Sequence, residues 1–399
     1  MALLSVADAL DRVTRGLVPL ESESVAILSA DGRVLAEDVK ARLTQPPFAA
    51  SAMDGYAVRS ADVAAPPVTL RVAGRSAAGA GFRGRVGTGE AVRIFTGAPV
   101  PEGADLIVIQ EDTEARPGSV TIRTVTGGPH IRPRGQDFVE GETLLASGTR
   151  LGARELMLAA AMNHAELPVR RKPRVAILAT GNEVVPPGSE LAADQIASSV
   201  PAGLSALIAH HGGEPMLLGI AKDEPESIIT LARTGSAADI LVTIGGASVG
   251  EHDLVAEALK AEGLELDFWK IAMRPGKPLL FGRMGEQRVL GVPGNPVSAL
   301  VCAQVFLLPM LGKLLGLAVR GHRECAALLG EALPANGARE HYMRAVSEWH
   351  EDGGRIVTPL PSQDSSLVAA LARADCLIIR PPDAAELPLG AEVRILPLD

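Results

Sequence analysis

The stretch from residue 174 to 316 leaves few folds open to this chain. Apolar runs at 174–179 (RVAILA), 215–221, 239–244 and 265–270 are interleaved with helical repeats at 198–210, 224–233 and 251–262, and a short run at 288–292 precedes a helix beginning at Pro296. A strand that is apolar on both faces must be covered on both, and a helix between successive strands returns the chain to run parallel. An α/β layer built on a mostly parallel sheet is therefore expected. Ligands in such layers sit beyond the carboxyl ends of the strands, so the loops after each strand are where chemistry is sought.

Those loops are polar. Thr180-Gly181-Asn182-Glu183 follows the first strand, Lys222-Asp223-Glu224 the second, and Gly245-Gly246-Ala247-Ser248-Val249-Gly250-Glu251-His252-Asp253 the third. Two further loops join the same rim: Met273-Arg274-Pro275-Gly276-Lys277-Pro278 and Gly291-Val292-Pro293-Gly294-Asn295-Pro296-Val297-Ser298. In both, Gly lets backbone approach a ligand closely, while Pro limits the ordering entropy lost on binding. Asn295-Pro296 reads as an N-cap with Pro at the first helical position, a helix start that aims free N–H groups at the loop. With Arg274 and Lys277 it describes an oxyanion site. Glu183, Asp223 and Asp253 alone would repel an anion, and the two cations alone would repel a metal. Together they suit a Mg²⁺-assisted reaction at a phosphate, with carboxylates on the metal and cations on the oxyanion. Taken singly, Asp223 and Asp253 also read as helix N-caps, Glu183 as a solvated loop residue and Gly245-Gly246 as a tight turn; it is their coincidence that favours a site. No Walker loop occurs, and no Ser-His-Asp arrangement is supported.

Around this layer the patterns change. Leu3, Val6, Leu10 and Val13 have helical spacing in an amphipathic segment over 2–15, and short strands are expected at 24–28 and 33–36. Short β-runs separated by Gly and Pro fill 58–137, a helix is expected over 152–163, and short β-runs return from about 320, as a small barrel or sandwich. The expected division is a helical and linker part at 1–45 and 138–172, a small β domain inserted at 46–137, the α/β domain at 173–318 and a C-terminal β domain at 319–399, with residues 1–20 free to pack on the α/β domain. Aromatics make up only 3% of the 399 residues against 47% hydrophobic, so the cores must be aliphatic.

Net charge of −9 gives no global field for a polyanion, so no nucleic-acid role is read, and an anionic ligand must be caught locally. Cys302, Cys325 and Cys376 have neither disulfide nor zinc spacing, which fits a reducing cytosol. No signal peptide is read at the N-terminus. The most membrane-like run, 300–319, is broken by Gln304, Pro309 and Lys313 and reads as a buried helix of a soluble domain, with no membrane partner.

Six motifs then stand in one order: Ser51-Ala52-Met53-Asp54-Gly55-Tyr56-Ala57, Thr96-Gly97-Ala98-Pro99-Val100-Pro101, Thr180-Gly181-Asn182-Glu183, Gly245-Gly246-Ala247-Ser248-Val249-Gly250, Pro275-Gly276-Lys277-Pro278 and Pro293-Gly294-Asn295-Pro296-Val297-Ser298. With them the chain resembles the molybdopterin molybdenumtransferases of the MoeA and gephyrin E-domain family along almost its whole length. The resemblance implies a molybdopterin-binding α/β domain, an inserted β domain and a C-terminal β-barrel. It implies a cytosolic homodimer that takes adenylylated molybdopterin and molybdate and, with Mg²⁺, releases AMP and molybdenum cofactor. It also implies exchange with an upstream adenylyltransferase and with acceptor molybdoenzymes.

The implied cleft is shared between subunits, with Asp54, Thr96 and Asp137 of one chain facing the α/β rim of the other. Glu183, Asp223 and Asp253 would serve metal and pterin phosphate. Arg274, Lys277 and Ser298 would hold molybdate, joined by Arg344 and Ser365 from the C-terminal domain; Gly245, Gly246, Ser248, Gly250, Pro275, Gly276, Pro278, Gly294 and Asn295 would line the substrates. Arg274 stands where the family often has Lys, Asn182 where it often has Asp, and Gln363-Asp364-Ser365-Ser366 replaces a Gly-Ser-rich turn. Two competing readings are a molybdopterin adenylyltransferase-like nucleotide enzyme, which lacks the flanking β domains, and a peptide-binding scaffold of the E-domain type.

Overall fold

In the computed structural model, which describes residues 3–246, 254–317, 324–350 and 353–398, the run Arg174–Thr180 lies inside a six-stranded sheet. The sheet order is Glu214–Ala221, Arg174–Thr180, Ile240–Ile244, Gln287–Val292, Pro278–Met284 and Glu265–Lys270. The first four pair parallel, and the last two add antiparallel pairings. Side chains alternate between two cores. Val175, Ile177, Ile240, Val242, Leu290 and Val292 enter one core; Ala176, Leu178, Leu241 and Val289 enter the other. Each buried Ile or Leu contributes on the order of 2 kcal/mol through burial, so both faces are committed to packing and neither is free for polar chemistry.

One strand lies outside the runs expected from sequence: Pro278–Met284, which begins at the last residue of the expected loop, forms a hairpin with Gln287–Val292. Proline is compatible with a strand's first residue. Gly282 is required by close approach, since a Cβ there would lie 2.5 Å from the Glu265 carbonyl oxygen.

The apolar run after Asn295 forms one helix, Pro296–Leu314, which is long and apolar enough to cross a membrane, although 72% of its most apolar window is buried within the protein. Its middle, Ala303–Leu307, widens to π-type just before Pro309, which has no N–H to offer the ladder. The N-terminal helix Val6–Thr14, capped by Ser5, places Val6, Ala9 and Val13 in the same core, and Ala272 N–H donates to the Leu4 carbonyl at 2.7 Å.

The segment before the layer carries three smaller cores. Ser22–Ala26 pairs with Glu166–Arg170, and the helix Ala153–Ala161 helps enclose Leu35, Phe138, Leu151, Met162 and Val169. The chain leaves this part at Gln45 and returns beside it, where Gln45 N–H donates to the Phe138 carbonyl at 2.9 Å. Between these points a curled six-stranded sheet forms, with Gly55–Val58 paired to both Glu90–Ile94 and Leu106–Ile109.

At the other end, Cys325–Leu329, Glu340–Trp349, Arg355–Pro359, Cys376–Arg380 and Glu392–Pro397 close into a barrel, because Glu340–Trp349 pairs with both Arg355–Pro359 and Cys376–Arg380. Ala345, Ile378 and Ile395 fill it, while Tyr342, Leu377 and Ile379 face outward into the α/β core and weld the two together. A two-residue strand, Met273–Arg274, adds to the barrel beside Glu340 and His341. His341 is 7% exposed, and it pairs across the sheet with Arg380, whose Nε and Nη1 have no partner.

Burial first, then the charges of Arg274, Arg339, Arg380 and Arg344, push the His341 imidazole from 6.5 down to about 4. The unfolded chain therefore binds the extra proton between those values. This site's contribution to stability is complete above pH 6.5 and is lost as pH falls towards 4. Urea midpoints should fall across that window, and His341→Gln should flatten the fall; an unchanged slope in the variant would assign the acid sensitivity elsewhere.

Candidate functional site

The strand register brings the expected loops to one rim. Thr180 lies opposite Ala221, Ala179 opposite Ile244, and Ile244 opposite Val292, so four parallel strands end together. The turn carrying Arg274 and Lys277 reaches the same edge, because Lys270 pairs with Pro278 and Leu280 with Gly291.

On the acidic side, Asn182 and Asp223 bind each other reciprocally. Asn182 N–H donates to Asp223 Oδ2 and Asp223 N–H donates to Asn182 Oδ1, both at 3.2 Å. Asp223 is therefore not the N-cap of the following helix, a place taken by Glu224. Gly181, at φ +134°, is covered by the Glu183 carboxylate; a Cβ there would lie 2.6 Å from Glu183 Oε2. Glu183 and Asp223 are both exposed. They offer hard oxygen donors of the kind Mg²⁺ prefers, and Mg²⁺ commonly takes only one or two protein carboxylates beside waters and phosphate oxygens. Among the described residues no three His, Cys, Asp or Glu side chains gather closely enough to hold a metal. Asp253, with Ser248 and Gly250, lies outside the described residues.

The glycines at the centre are sterically required. Gly245 and Gly246 take φ of +87° and +72°, and a Cβ on Gly246 would lie 2.3 Å from Val255 Cγ2. Gly294 packs on this turn, its missing Cβ 3.6 Å from Gly245 Cα, and Gly245 N–H donates to the Val292 carbonyl at 3.1 Å.

On the basic side, Gly276 sits at φ +107° over Cys302, whose Sγ would lie 2.6 Å from a Cβ at that position. Cys302 is fully buried, and burial pushes its thiol up, keeping it neutral beneath the loop. Lys277 O accepts from Ile271 N–H at 3.1 Å, which fixes the loop's far end between Gly276 and Pro278. No hydrogen bond or ion pair to the Arg274 guanidinium or to the Lys277 ammonium occurs among the described residues, although the Arg274 backbone pairs beside His341; Arg274 is exposed and Lys277 half-buried. Ser298 lies on the first turn of the helix and is 4% exposed.

That helix start departs from expectation. The Asn295 side chain makes no capping bond; its amide donates to Ser365 Oγ at 3.0 Å, and Val297 N–H donates to the Ser365 carbonyl at 3.2 Å. The C-terminal loop thus occupies one of the N–H groups expected to be free. Arg344 also differs from a ready anion contact. It is 1% exposed, and its guanidinium donates to the carbonyls of Leu367, Ser362 and Asp364 at 3.2, 3.0 and 2.8 Å. Asp364 turns inward to its own loop: the Ser366 N–H first, then the Ser366 hydroxyl, hold its carboxyl below the usual range.

Asp54, Thr96 and Asp137 stand apart. Asp54 Oδ1 accepts from Thr96 N–H at 2.7 Å and from Thr96 Oγ1 at 2.8 Å, and these bonds, the backbone one foremost, hold its carboxyl below the usual range. Asp137 N–H donates to the Gln45 carbonyl at 3.0 Å, leaving its exposed side chain on the same part of the chain. Among the described residues no hydrogen bond or ion pair joins residues 46–137 to the rim. Arg93, not singled out from sequence, donates to the Gly55 carbonyl at 3.0 Å and stacks over Tyr56 and Phe95, placing a cation beside Asp54. It lies directly opposite Tyr56 in the strand register, a pairing that no local sequence signal marks.

Three family descriptions match the chain in succession: the MoeA N-terminal region (domain I and II) over residues 4–163, the probable molybdopterin binding domain over 176–313 and the MoeA C-terminal region (domain IV) over 326–398. The molybdopterin molybdenumtransferase of Nostoc sp. is 36% identical over 403 residues, covering 95% of this chain and 89% of that protein. That of Haemophilus influenzae is 34% identical over 385 residues, covering 96% and 95%. The crystal structure of the molybdopterin biosynthesis MoeA protein from Pyrococcus horikosii superposes with a TM-score of 0.84 at 32% identity over 99% of each chain. With these matches running from the N-terminal helix to the barrel, the chain belongs to the molybdopterin molybdenumtransferase (MoeA) family.

Proposed function

We propose that the protein inserts molybdenum into adenylylated molybdopterin, taking molybdate as substrate and releasing AMP and molybdenum cofactor. The observation that carries this reading is the division of one rim into two unlike halves: Arg274 and Lys277 without carboxylate partners beside Ser298, and exposed Glu183 and Asp223 across the glycine turns. A tetrahedral dianion is held by donors and cations, and carboxylates are kept away from it. Arg274, Lys277, Ser298 and Ser365 would take molybdate oxygens. The backbone at Gly245, Gly246, Pro275, Gly276, Pro278, Gly294 and Asn295, with Ser248 and Gly250, would line the pterin and its phosphates.

Glu183, Asp223 and Asp253 would hold Mg²⁺, which when bound neutralises phosphate charge. The chain's own contribution is then positioning: the Asn182–Asp223 pair fixes one carboxylate, and the cations bring molybdate to the activated pterin, where an oxygen of molybdate or water bonds to the adenylyl phosphorus as its bond to the pterin phosphate breaks and AMP departs. The reading includes a homodimer in which Asp54, Thr96 and Asp137 of one subunit complete the rim of the other. The pre-set Asp54–Thr96 pair, unconnected to its own rim, supports that arrangement. A cytoplasmic location, supply by an adenylyltransferase and delivery to molybdoenzymes belong to the same proposal.

AMP release from adenylylated molybdopterin should depend on molybdate; molybdate-independent release would overturn the assignment. Lys277→Met should raise the molybdate KM by about tenfold or more, and Asp223→Asn should raise the Mg²⁺ requirement while leaving that KM near its original value. Sharing of the cleft has its own test. A 1:1 exchange mixture of Asp54→Ala and Lys277→Met chains, each impaired alone at molybdate well below the variant KM, should recover roughly a quarter of the original activity, because about half the dimers are then mixed and each of these holds one intact site of two; no gain over the two variants alone would place all these residues in one chain's site.

A further inference from the structure

We propose that Arg93 is the positioning residue for the Asp54–Thr96 pair, a clamp that joins the two segments carrying that pair and sets where the Asp54 carboxylate points. The two residues are 42 apart in sequence and both are exposed, Asp54 just before Gly55–Val58 and Thr96 just beyond Glu90–Ile94. Arg93 reaches both segments. Its Nη1 donates to the carbonyl of Gly55, the residue after Asp54, at 3.0 Å. Its Nη2 donates to Gln110 Oε1, and the Gln110 N–H donates in turn to the Asp54 carbonyl at 3.0 Å. One guanidinium thus holds the Asp54 backbone from two directions. On the other segment it lies 4.9 Å from the ring centre of Phe95, the residue before Thr96, and it lies 5.1 Å from that of Tyr56. A planar fork can donate in its own plane while its faces stack on rings, which an ammonium cannot do.

Sheet packing alone does not favour an arginine here. Arg93 lies directly opposite Arg75 where Val68–Ser76 pairs with Glu90–Ile94, and like charges opposed across a sheet repel. Arg75 stacks on the same Phe95 ring, 4.8 Å from its centre, so the two cations share one aromatic side chain. The acceptors that Arg93 does use are neutral and leave its charge uncancelled. A local rule broken in this way is expected at functional positions. The anion beside Arg93 is Asp54: the Thr96 bonds first, and the Arg93 charge after them, hold its carboxyl below the usual range. The chain next to Asp54 has no slack either, since a Cβ on Gly55 would lie 2.0 Å from the Val108 carbonyl oxygen. The backbone on both sides of the carboxylate is therefore fixed while the carboxylate itself stays exposed.

The inference rests on the reading of Asp54 as a residue of the cleft for its effect on turnover, but the clamp itself is independent of it. Arg93→Lys keeps the charge and loses the fork, so it cannot hold Gly55 and Gln110 at once. We expect Arg93→Lys and Arg93→Met each to lower kcat by about tenfold, with the KM for adenylylated molybdopterin and for molybdate within about twofold of the original, because Arg93 touches neither substrate. In an Asp54→Ala background, Arg93→Met should lower kcat by less than about twofold, because the group it positions is gone. Near-normal kcat in Arg93→Lys, a raised KM for either substrate at unchanged kcat, or effects of Arg93→Met and Asp54→Ala that multiply would overturn the proposal. Gln110→Ala, at an exposed site, removes one arm of the clamp without touching a core. Amide hydrogen exchange at Thr96, measured without substrates, should quicken in Gln110→Ala and in Arg93→Lys; unchanged exchange in both folded variants would also overturn the proposal. Quickened exchange in a protein whose Asp54→Ala variant turns over normally would instead remove the cleft reading of Asp54 and leave the clamp standing.

Discussion

Everything polar in this protein's central domain is pushed to one edge by the burial of its sheet on both faces. Side chains of Arg174–Thr180 and Ile240–Ile244 alternate between two aliphatic cores, and every one of Val175, Ile177, Ile240 and Val242 is essentially without solvent contact. Inserting a charge into either face would cost several kcal/mol. Ionisable groups can therefore collect only where strands end, and the parallel register makes four strands end together. The site's location is a consequence of packing before it is a matter of chemistry.

The same core also decides how the barrel is oriented. Tyr342, Leu377 and Ile379 point out of the barrel into the α/β core, while their neighbours Ala345 and Ile378 point in. Two strands thus each serve two hydrophobic assemblies, which fixes the barrel's rotation about the rim and aims the loop at 362–367 towards Asn295. The short addition of Met273–Arg274 to the barrel edge links the cation-bearing turn to the same frame. Arg274, in the added strand, and the barrel loop that carries Ser365 are therefore held by the same barrel, without a direct bond between them.

Electrostatically the rim is divided by backbone. Gly245, Gly246 and Gly294 lie between the carboxylates and the cations, and the left-handed conformations of Gly245 and Gly246 disfavour side chains in the middle. A cleft floored by peptide groups can seat a flat or phosphorylated ligand while keeping Glu183 and Asp223 from neutralising Arg274 and Lys277. Had the two sets been closer, they would have paired, and the chemistry of each would have been lost to a surface salt bridge.

Much of this was legible in the sequence because it depends on local or periodic properties. Double-faced apolar runs, the order of six loop motifs, short β-runs at both ends and the placement of Glu183, Asp223, Arg274 and Lys277 on one rim follow from strand period, helix spacing and topology. What could not be read were contacts between segments far apart in the chain. Asn182 binding Asp223, Cys302 supporting Gly276, and Arg344 wound into its own loop all depend on which backbone groups meet after folding. The strand Pro278–Met284 was hidden because its Pro and Gly look like loop residues until Glu265 is seen beside Gly282. The sequence by itself determined that there would be a two-signed rim at the ends of parallel strands. Only the tertiary structure decided which charges stay free there and which are consumed as supports, because a charge's partners are set by the three-dimensional approach of distant chain, and sequence distance carries no record of that.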